Sequence, residues 1–429
     1  MTAQLECPRC GTSYPLDEVR YLCDCGSQLD VSHDLGALRA QITRTIFDAR
    51  QRGAPTPHLC PERDSGVWRY RELILPVPAE MIVSRPEGNT PLYQHPRLSE
   101  WVGVDCLYLK HEGENPSGSF KDRGMTVGVT QARWLGARAV ACASTGNTSA
   151  SLAAYAALAG LPAIVFIPQG KIAAGKLAQA LAYGAHTLQV TGDFDDAMRL
   201  VQHICDEMGI YLLNSLNPFR LEGQKSIIFE TIHGLNWQPP DWIVLPAGNL
   251  GNTAAFGKAL YELQQLGLIT QMPRLAAVQA TGANPFYQSY QLGFRQAVKV
   301  RAETVATAIR IGAPVSYERA VRSLRWTNGL VTQVSDAEIM DAKAMVDRAG
   351  IGCEPASAAA VAGVRKLVAE GVIRPSERVV AVLTGNLLKD PAATVSYHTG
   401  EWPEAQFANR PRAVSAHPEE VRRVIESIL

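Results

Sequence analysis

From about residue 81 onward, short apolar segments alternate with helical runs, and this rhythm decides what the chain can fold into. Apolar strands are expected at 106–110, 139–143, 163–167, 187–190, 242–245, 275–279 and 379–383. Helical runs separate them at 122–135, 150–159, 171–182, 195–208, 223–234, 253–266, 336–349 and 356–370. Short strands joined through helices lie parallel, with helices covering both faces of the sheet. The class is α/β, and 429 residues suffice for two or three domains. One stretch, from Arg138 to Lys171, has no charge between its ends. Gly160-Leu161-Pro162 divides it into an Ala-rich helix and a short strand, neither long enough to span a bilayer.

Charge narrows the partners. Forty-one basic residues balance 41 acidic ones, leaving no net field to draw nucleic acid or an anionic membrane. Only 19% of residues are charged, below the roughly one quarter typical of soluble domains. Deep cores and an oligomer interface are therefore expected. Residues 1–11 hold no apolar leader segment, so a cytoplasmic location is expected, with the nine cysteines reduced.

Four of those cysteines crowd together. Cys7 and Cys10 sit in C-P-R-C-G, and Cys23 and Cys25 in C-D-C-G. Each pair reads as a knuckle whose glycine turns backbone N–H groups toward sulfur, and four thiolates make a closed, structural zinc site. Residues 1–30 are expected to form a unit of their own, remote from catalysis and dispensable for it. A helix over about 35–51 and then irregular chain should follow. Beyond Thr399 the chain is loop-like until Pro418 opens a final helix to Leu429.

Three turns that follow expected strands and open expected helices hold the chemistry, where open α/β sheets place their ligands. The first is Glu114-Asn115-Pro116-Ser117-Gly118-Ser119-Phe120-Lys121-Asp122-Arg123-Gly124. The positive helix end disfavours the Lys121 ammonium, and a neutral amine is what attack on a carbonyl needs. Most lysines so placed are solvated surface charges, so position alone does not assign this one. In the second turn Ser144, Thr145, Asn147, Thr148 and Ser149 offer far more polar groups than an N-cap uses. In the third, Gly248-Asn249-Leu250-Gly251-Asn252 brings backbone N–H groups toward an anion at a helix start. It is not G-x-G-x-x-G, so a dinucleotide is not indicated.

Together these segments resemble the threonine synthases, pyridoxal-phosphate enzymes of the tryptophan-synthase-β-like fold (fold type II), over about residues 81–400. Three motifs carry the likeness: S-F-K-D-R-G around Lys121, S-T-G-N-T-S-A-S from Ser144, and G-N-L-G-N from Gly248. Asn214-Ser215-Leu216-Asn217-Pro218-Phe219-Arg220-Leu221-Glu222-Gly223-Gln224-Lys225 is similar to the family's N-S-x-N-P-x-R-x-x-G-Q-K run. Thr384-Gly385-Asn386-Leu387-Leu388-Lys389-Asp390-Pro391 is similar to T-G-[HN]-G-L-K-D-P, with Leu387 where the family has glycine.

The resemblance implies two parallel-sheet α/β domains. The larger would span 81–120 and 211–400 and the smaller 121–210. A zinc-ribbon-like module (1–30), a connecting segment (31–80) and a C-terminal tail and helix (401–429) lie outside them. It also implies a homodimer and a carbon–oxygen lyase reaction, in which O-phospho-L-homoserine and water become L-threonine and phosphate by β,γ-elimination and replacement. Lys121 would hold pyridoxal phosphate and shuttle protons. Gly248, Asn249, Leu250, Gly251 and Asn252 would cradle its phosphate, Asn147 its ring hydroxyl and Thr384 its pyridine nitrogen. A neutral hydroxyl at that nitrogen leaves a weaker electron sink than a carboxylate does, which favours elimination and replacement over transamination. Ser144, Thr145 and Thr148 would hold the substrate carboxylate or phosphate, and Asn214, Ser215 and Arg220 the phosphate.

Serine/threonine dehydratases and cysteine synthases share the general fold, and the run through Arg220 separates them from this family. A guanidinium fork suits a dianionic phosphate; the plain alternative for Arg220 is a surface salt bridge with Glu222. Two rival functions remain open. One is another pyridoxal-phosphate lyase or synthase acting on a phosphorylated or hydroxy amino acid, such as a cysteate synthase or a threonine dehydratase. The other is nucleic-acid binding through the ribbon, against which stand its two lone basic residues, Arg9 and Arg20.

Overall fold

Three sheets organise the chain. The computed structural model describes residues 3–51, 59–169, 174–192 and 194–429, the side chains of 174–176 and 194–196 excepted. At the N-terminus β1 (Ala3–Glu6), β2 (Ser13–Tyr14) and β3 (Asp30–His33) pair antiparallel in the order β2-β1-β3. β4 (Leu92–Gln94) and β5 (Cys106–His111) begin the large sheet. The chain then builds a small parallel sheet from β6 (Val140–Ala143), β7 (Ala163–Pro168), β8 (His186–Val190) and β9 (Tyr211–Leu212), in the order β8-β7-β6-β9. β10 (Trp242–Pro246), β11 (Arg274–Ala280), β12 (Leu330–Val334) and β13 (Arg378–Leu383) complete the large sheet as β12-β11-β10-β13-β5-β4. Only its β4–β5 pair is antiparallel.

The parallel strands bury both faces, as their continuous apolar runs require. Along β10, Ile243 and Leu245 enter one core while Trp242 and Val244 enter the other. β11 and β13 alternate likewise, and each valine, leucine or isoleucine withdrawn from water contributes about 1.5–3 kcal/mol. Beside the three N-terminal strands and the two-residue β9, two strands of the large sheet escaped the sequence reading. β12 carries Thr332-Gln333 in its middle, and β4 is a short edge strand flanked by Pro91 and Pro96. Of the helix expected at 171–182, Ala174–Ala182 is present, and residues 171–173 lie outside the described ones. The helix expected at 35–51 is two, Leu35–Arg39 and Arg44–Gln51. No described helix is long and apolar enough to cross a membrane.

The N-terminal module packs on the core of the large sheet. Its sheet runs on to His33, and Leu5, Leu29 and Val31 belong to the same core as Ile243 and Leu245. So few residues cannot bury a core of their own and must borrow one. The irregular chain that follows is equally interior: Trp68, Tyr70 and Leu73 are fully buried, and Tyr70 packs 4.9 Å from Phe47 and 5.4 Å from Phe229.

Candidate active site

Every segment singled out beyond residue 81 leaves the C-terminal end of a parallel strand or the turn after it. The Lys121 loop follows β5, Ser144 follows β6, Asn214 follows β9, Gly248 follows β10 and Thr384 follows β13. Two of these loops are stitched together. Phe120 N donates to Thr384 O at 3.0 Å, Asn386 N donates to Gly118 O at 3.0 Å, and Ser119 bridges Gly385.

Each residue of S-F-K-D-R-G has a separate task. Lys121 is the first residue of the helix Lys121–Trp134; the residue is half-buried and its amine lies 4.3 Å from the Phe120 ring. Asp122, buried, accepts from Ser117 N and from Ser151 Oγ, both at 2.6 Å, and so fixes the loop. Arg123 is locked by both oxygens of Glu112, at 2.6 and 2.8 Å, and by Glu230 at 2.9 Å. Gly124 lies where a Cβ would stand 2.9 Å from Arg220 O. With Asp122 and Arg123 committed to structure, the lysine is the one charged group of the motif without a side-chain hydrogen-bond partner among the described residues. Loss of hydration chiefly, and then the Arg220 charge, bring its amine down to about 7 despite Glu354.

Asn147 opens the helix Asn147–Ala159 and donates to Glu354 at 3.2 Å. Ser144, Thr145 and Thr148 are half-buried around it. The Thr384 hydroxyl is 3.1 Å from Ser357 Oγ and 3.4 Å from Glu354. Leu387 fits without glycine because residues 387–389 form a right-handed turn capped by Asn386, and its side chain packs over Gly352.

At the third turn the helix Gly251–Gln265 starts from Leu250, held left-handed at φ 64°. Its first N–H groups have no intrahelical acceptor. Asn252 Oδ1, Thr253 Oγ1 and Gln224 Oε1 are buried there without a hydrogen-bond partner. A Cβ on Gly251 would come within 3.3 Å of Gln224 Oε1, so glycine keeps this recess open.

The segment after β9 divides its labour. Asn214 spends its amide on the end of β6, accepting from Ala143 N at 2.9 Å and donating to Ala143 O at 3.0 Å. Asn217 caps the helix Pro218–Gly234 by accepting from Phe219 N at 3.0 Å. Ser215 is half-buried between them. Arg220 is buried; its Nη1 donates to Leu213 O at 3.1 Å and its Nε has no partner. The surface pairing with Glu222 is excluded, for Glu222 is buried against His33, Lys225 and Lys258. Burial alone brings the Arg220 guanidinium down to about 10.

In the N-terminal module, Cys7, Cys10, Cys23 and Cys25 place four sulfurs within 4.8 Å of one another. A zinc ion with four Zn–S bonds of about 2.3 Å spaces its sulfurs about 3.8 Å apart; Cys7–Cys25 and Cys10–Cys23 stand at 3.5 Å. Both knuckles close as their glycines allow. Gly11 N donates to Cys7 O and Gly26 N to Cys23 O, with φ of 74° and 81°.

Comparison with known proteins gives this arrangement a family. Residues 83–385 match the family model described as "Pyridoxal-phosphate dependent enzyme". The chain is 46% identical to a threonine synthase of Methanocaldococcus jannaschii, over 91% of this chain and 93% of that one. To a threonine synthase of Methanosarcina acetivorans it is again 46% identical, over 98% of both chains, an overlap that takes in the N-terminal module. The chain belongs to the pyridoxal-phosphate dependent enzymes, in the threonine synthase family. Among solved structures, maize serine racemase superposes with a TM-score of 0.64 at 20% identity, covering 78% of this chain and 97% of that one, and so shares the fold.

The residues present fit the cofactor this family name specifies. A desolvated lysine amine suits its carbonyl, and the Gly248–Asn252 turn, with the free N–H groups of the helix start and the unpartnered Thr253 hydroxyl beside it, suits a phosphate. Four residues that this pyridoxal-phosphate enzyme brings to the site were not found in its sequence. Glu354 and Ser357 come from the Ala-rich helix start, Gln224 from the G-Q-K run, and Gln179 from the small sheet's side. Glu354 did carry one signal, a carboxylate directly before Pro355 at a helix N-terminus.

Proposed function

We propose that this chain converts O-phospho-L-homoserine and water to L-threonine and phosphate. The relatives named threonine synthase support the reaction. The observation that carries the substrate is Arg220, a buried cation close enough to lower the Lys121 amine yet paired with no carboxylate among the described residues. A charge held that way is costly unless an anion completes it, and the cofactor's phosphate already has the Gly248–Asn252 turn.

When bound, pyridoxal phosphate supplies the electron sink that makes protons at Cα and Cβ removable. Lys121 would hold it and would move protons at those carbons of the substrate; an amine near 7 can both take and return them. Asn147 and Thr384 orient the ring, one at its hydroxyl and one at its nitrogen. Ser144, Thr145 and Thr148 receive the carboxylate. Arg220 and Ser215 hold the phosphate while it leaves Cγ, and water then adds at Cβ. Asn214 acts here by positioning, since its amide anchors the end of β6. Zinc at Cys7, Cys10, Cys23 and Cys25 is structural.

The test is Arg220→Ala. Removing a charge-assisted pair to a desolvated phosphate costs about 2–5 kcal/mol, roughly thirtyfold to several-thousandfold in kcat/KM. Cofactor occupancy should stay full, and Arg220→Lys should recover part of the loss, lacking the fork. Cofactor loss with unchanged substrate kinetics would overturn the assignment.

A further inference from the structure

The cleft has a second cation, at its mouth. Lys389 ends the turn Leu387–Lys389 and lines an opening of about 580 Å³ with Gly118, Asn147 and Gln179. Its stem lies across Gly118, where a Cβ would stand 2.8 Å from Lys389 Cε, so the bare glycine at φ 85° is what admits it. The ammonium donates to Gln179 Oε1, and Gln179 Nε2 in turn donates to Ser117 O at 3.2 Å.

Gln179 stands on the helix Ala174–Ala182, which packs with the small sheet, while Ser117 and Lys389 belong to loops of the large one. One amide therefore ties the two sheets together across the entrance. Asp122 and Glu354 are the carboxylates that act on Lys389. The first is already bonded to Ser117 and Ser151, the second to Asn147, and loss of hydration outweighs both, leaving the amine below its ordinary value. A partly desolvated ammonium answered by a neutral amide oxygen is a cation whose better partner is an anion.

We propose that Lys389 reads an anionic oxygen of the substrate, and that Gln179 Oε1 holds that place until the substrate displaces it. The inference rests on the substrate assignment made above, which brings to this cleft a molecule with both a phosphate and a carboxylate. Entry would exchange the Gln179 bond for a charge-assisted one and release the tie between the sheets.

The experiment uses holoenzyme carrying Lys389→Met, Lys389→Arg or Gln179→Glu, with Arg220→Ala alongside. It measures kcat and KM for O-phospho-L-homoserine, and inhibition constants for inorganic phosphate and L-threonine. Loss of a hydrogen bond to a charged group predicts a KM for Lys389→Met raised about 10- to 100-fold, with kcat changed far less and cofactor absorbance retained. Lys389→Arg should keep most of the affinity. Gln179→Glu, which occupies the ammonium permanently, should raise KM as well. A weaker inhibition constant for phosphate identifies the phosphate as the group read, and one for L-threonine identifies the carboxylate; either supports the proposal. Unchanged KM and inhibition constants in Lys389→Met overturn it. Should Lys389→Met fail to hold cofactor, an unchanged KM in Gln179→Glu overturns it instead. If Arg220→Ala raises KM while these variants do not, the proposal alone falls; if Arg220→Ala is also silent, the substrate assignment falls with it.

Discussion

A lysine amine near 7 is half neutral at neutral pH, whereas an ordinary lysine at about 10.4 is almost wholly charged. Only the neutral form attacks a carbonyl, so capture of pyridoxal phosphate by cofactor-free protein should accelerate as pH rises through about 7 and level off above it. The Arg220 charge is the second cause of that low value. Arg220→Met should therefore move the midpoint of capture upward, measured as the rate of absorbance change against pH. A midpoint that stays in place would show that burial alone sets it. Borohydride reduction and peptide mapping should find the pyridoxyl group on Lys121, and Lys121→Ala should lose turnover. Label on another lysine sinks the assignment.

Two helices meet where the sequence provides bare backbone. A Cβ on Gly223 would stand 1.8 Å from Arg123 O, and one on Gly124 would stand 2.9 Å from Arg220 O. These glycines, one in S-F-K-D-R-G and one in G-Q-K, let Lys121–Trp134 and Pro218–Gly234 approach until Arg220 lies beside Lys121. Gly223→Ala must push the helices apart, at about 1–3 kcal/mol or more. It should lower the denaturation midpoint and raise KM without changing any polar group. Unaltered KM in a folded variant would mean that the crossing does not place the arginine. The Asn214 motif position is instructive in the same way. Its residue type suited a phosphate, but its neighbour in space is the open end of β6, and a sheet edge takes an amide first.

The N-terminal module reaches four of the elements that carry the site. Gln131, on the lysine helix, donates to Leu16 O at 2.8 Å, and Leu212 N, beside Asn214, donates to Tyr21 at 2.9 Å. Lys258, on the helix that starts from the phosphate turn, reaches Val31 O, and Glu222, one turn from Arg220's end of its helix, meets His33 at 2.8 Å. The module braces the back of the cleft rather than standing apart from it. Metal analysis should find about one zinc per chain, and Cys23→Ser should lose it. Because the knuckles hold Leu16 and Tyr21 in place, metal loss should also lower the denaturation midpoint and weaken cofactor retention. Retention unchanged in the zinc-free protein would restore the independent module expected from the cysteine spacing.

Most strands and ligand turns from residue 81 onward were legible because central parallel strands leave unbroken apolar runs and their turns are local; the edge strands at 92–94 and 330–334 and the two-residue strand at 211–212 leave no such run. Lys121 at a helix start, the glycines of 248–252 and the paired cysteines each owe their geometry to neighbours a few residues away. Arg220's isolation, the approach of Glu354, the Gln179 tie across the mouth and the docking of residues 3–33 were not legible. Desolvation and pairing depend on which distant segments meet, and that is decided when the sheets close over one another. The sequence by itself determined which side chains could do the chemistry; the tertiary structure decided which of them were left without a partner to do it.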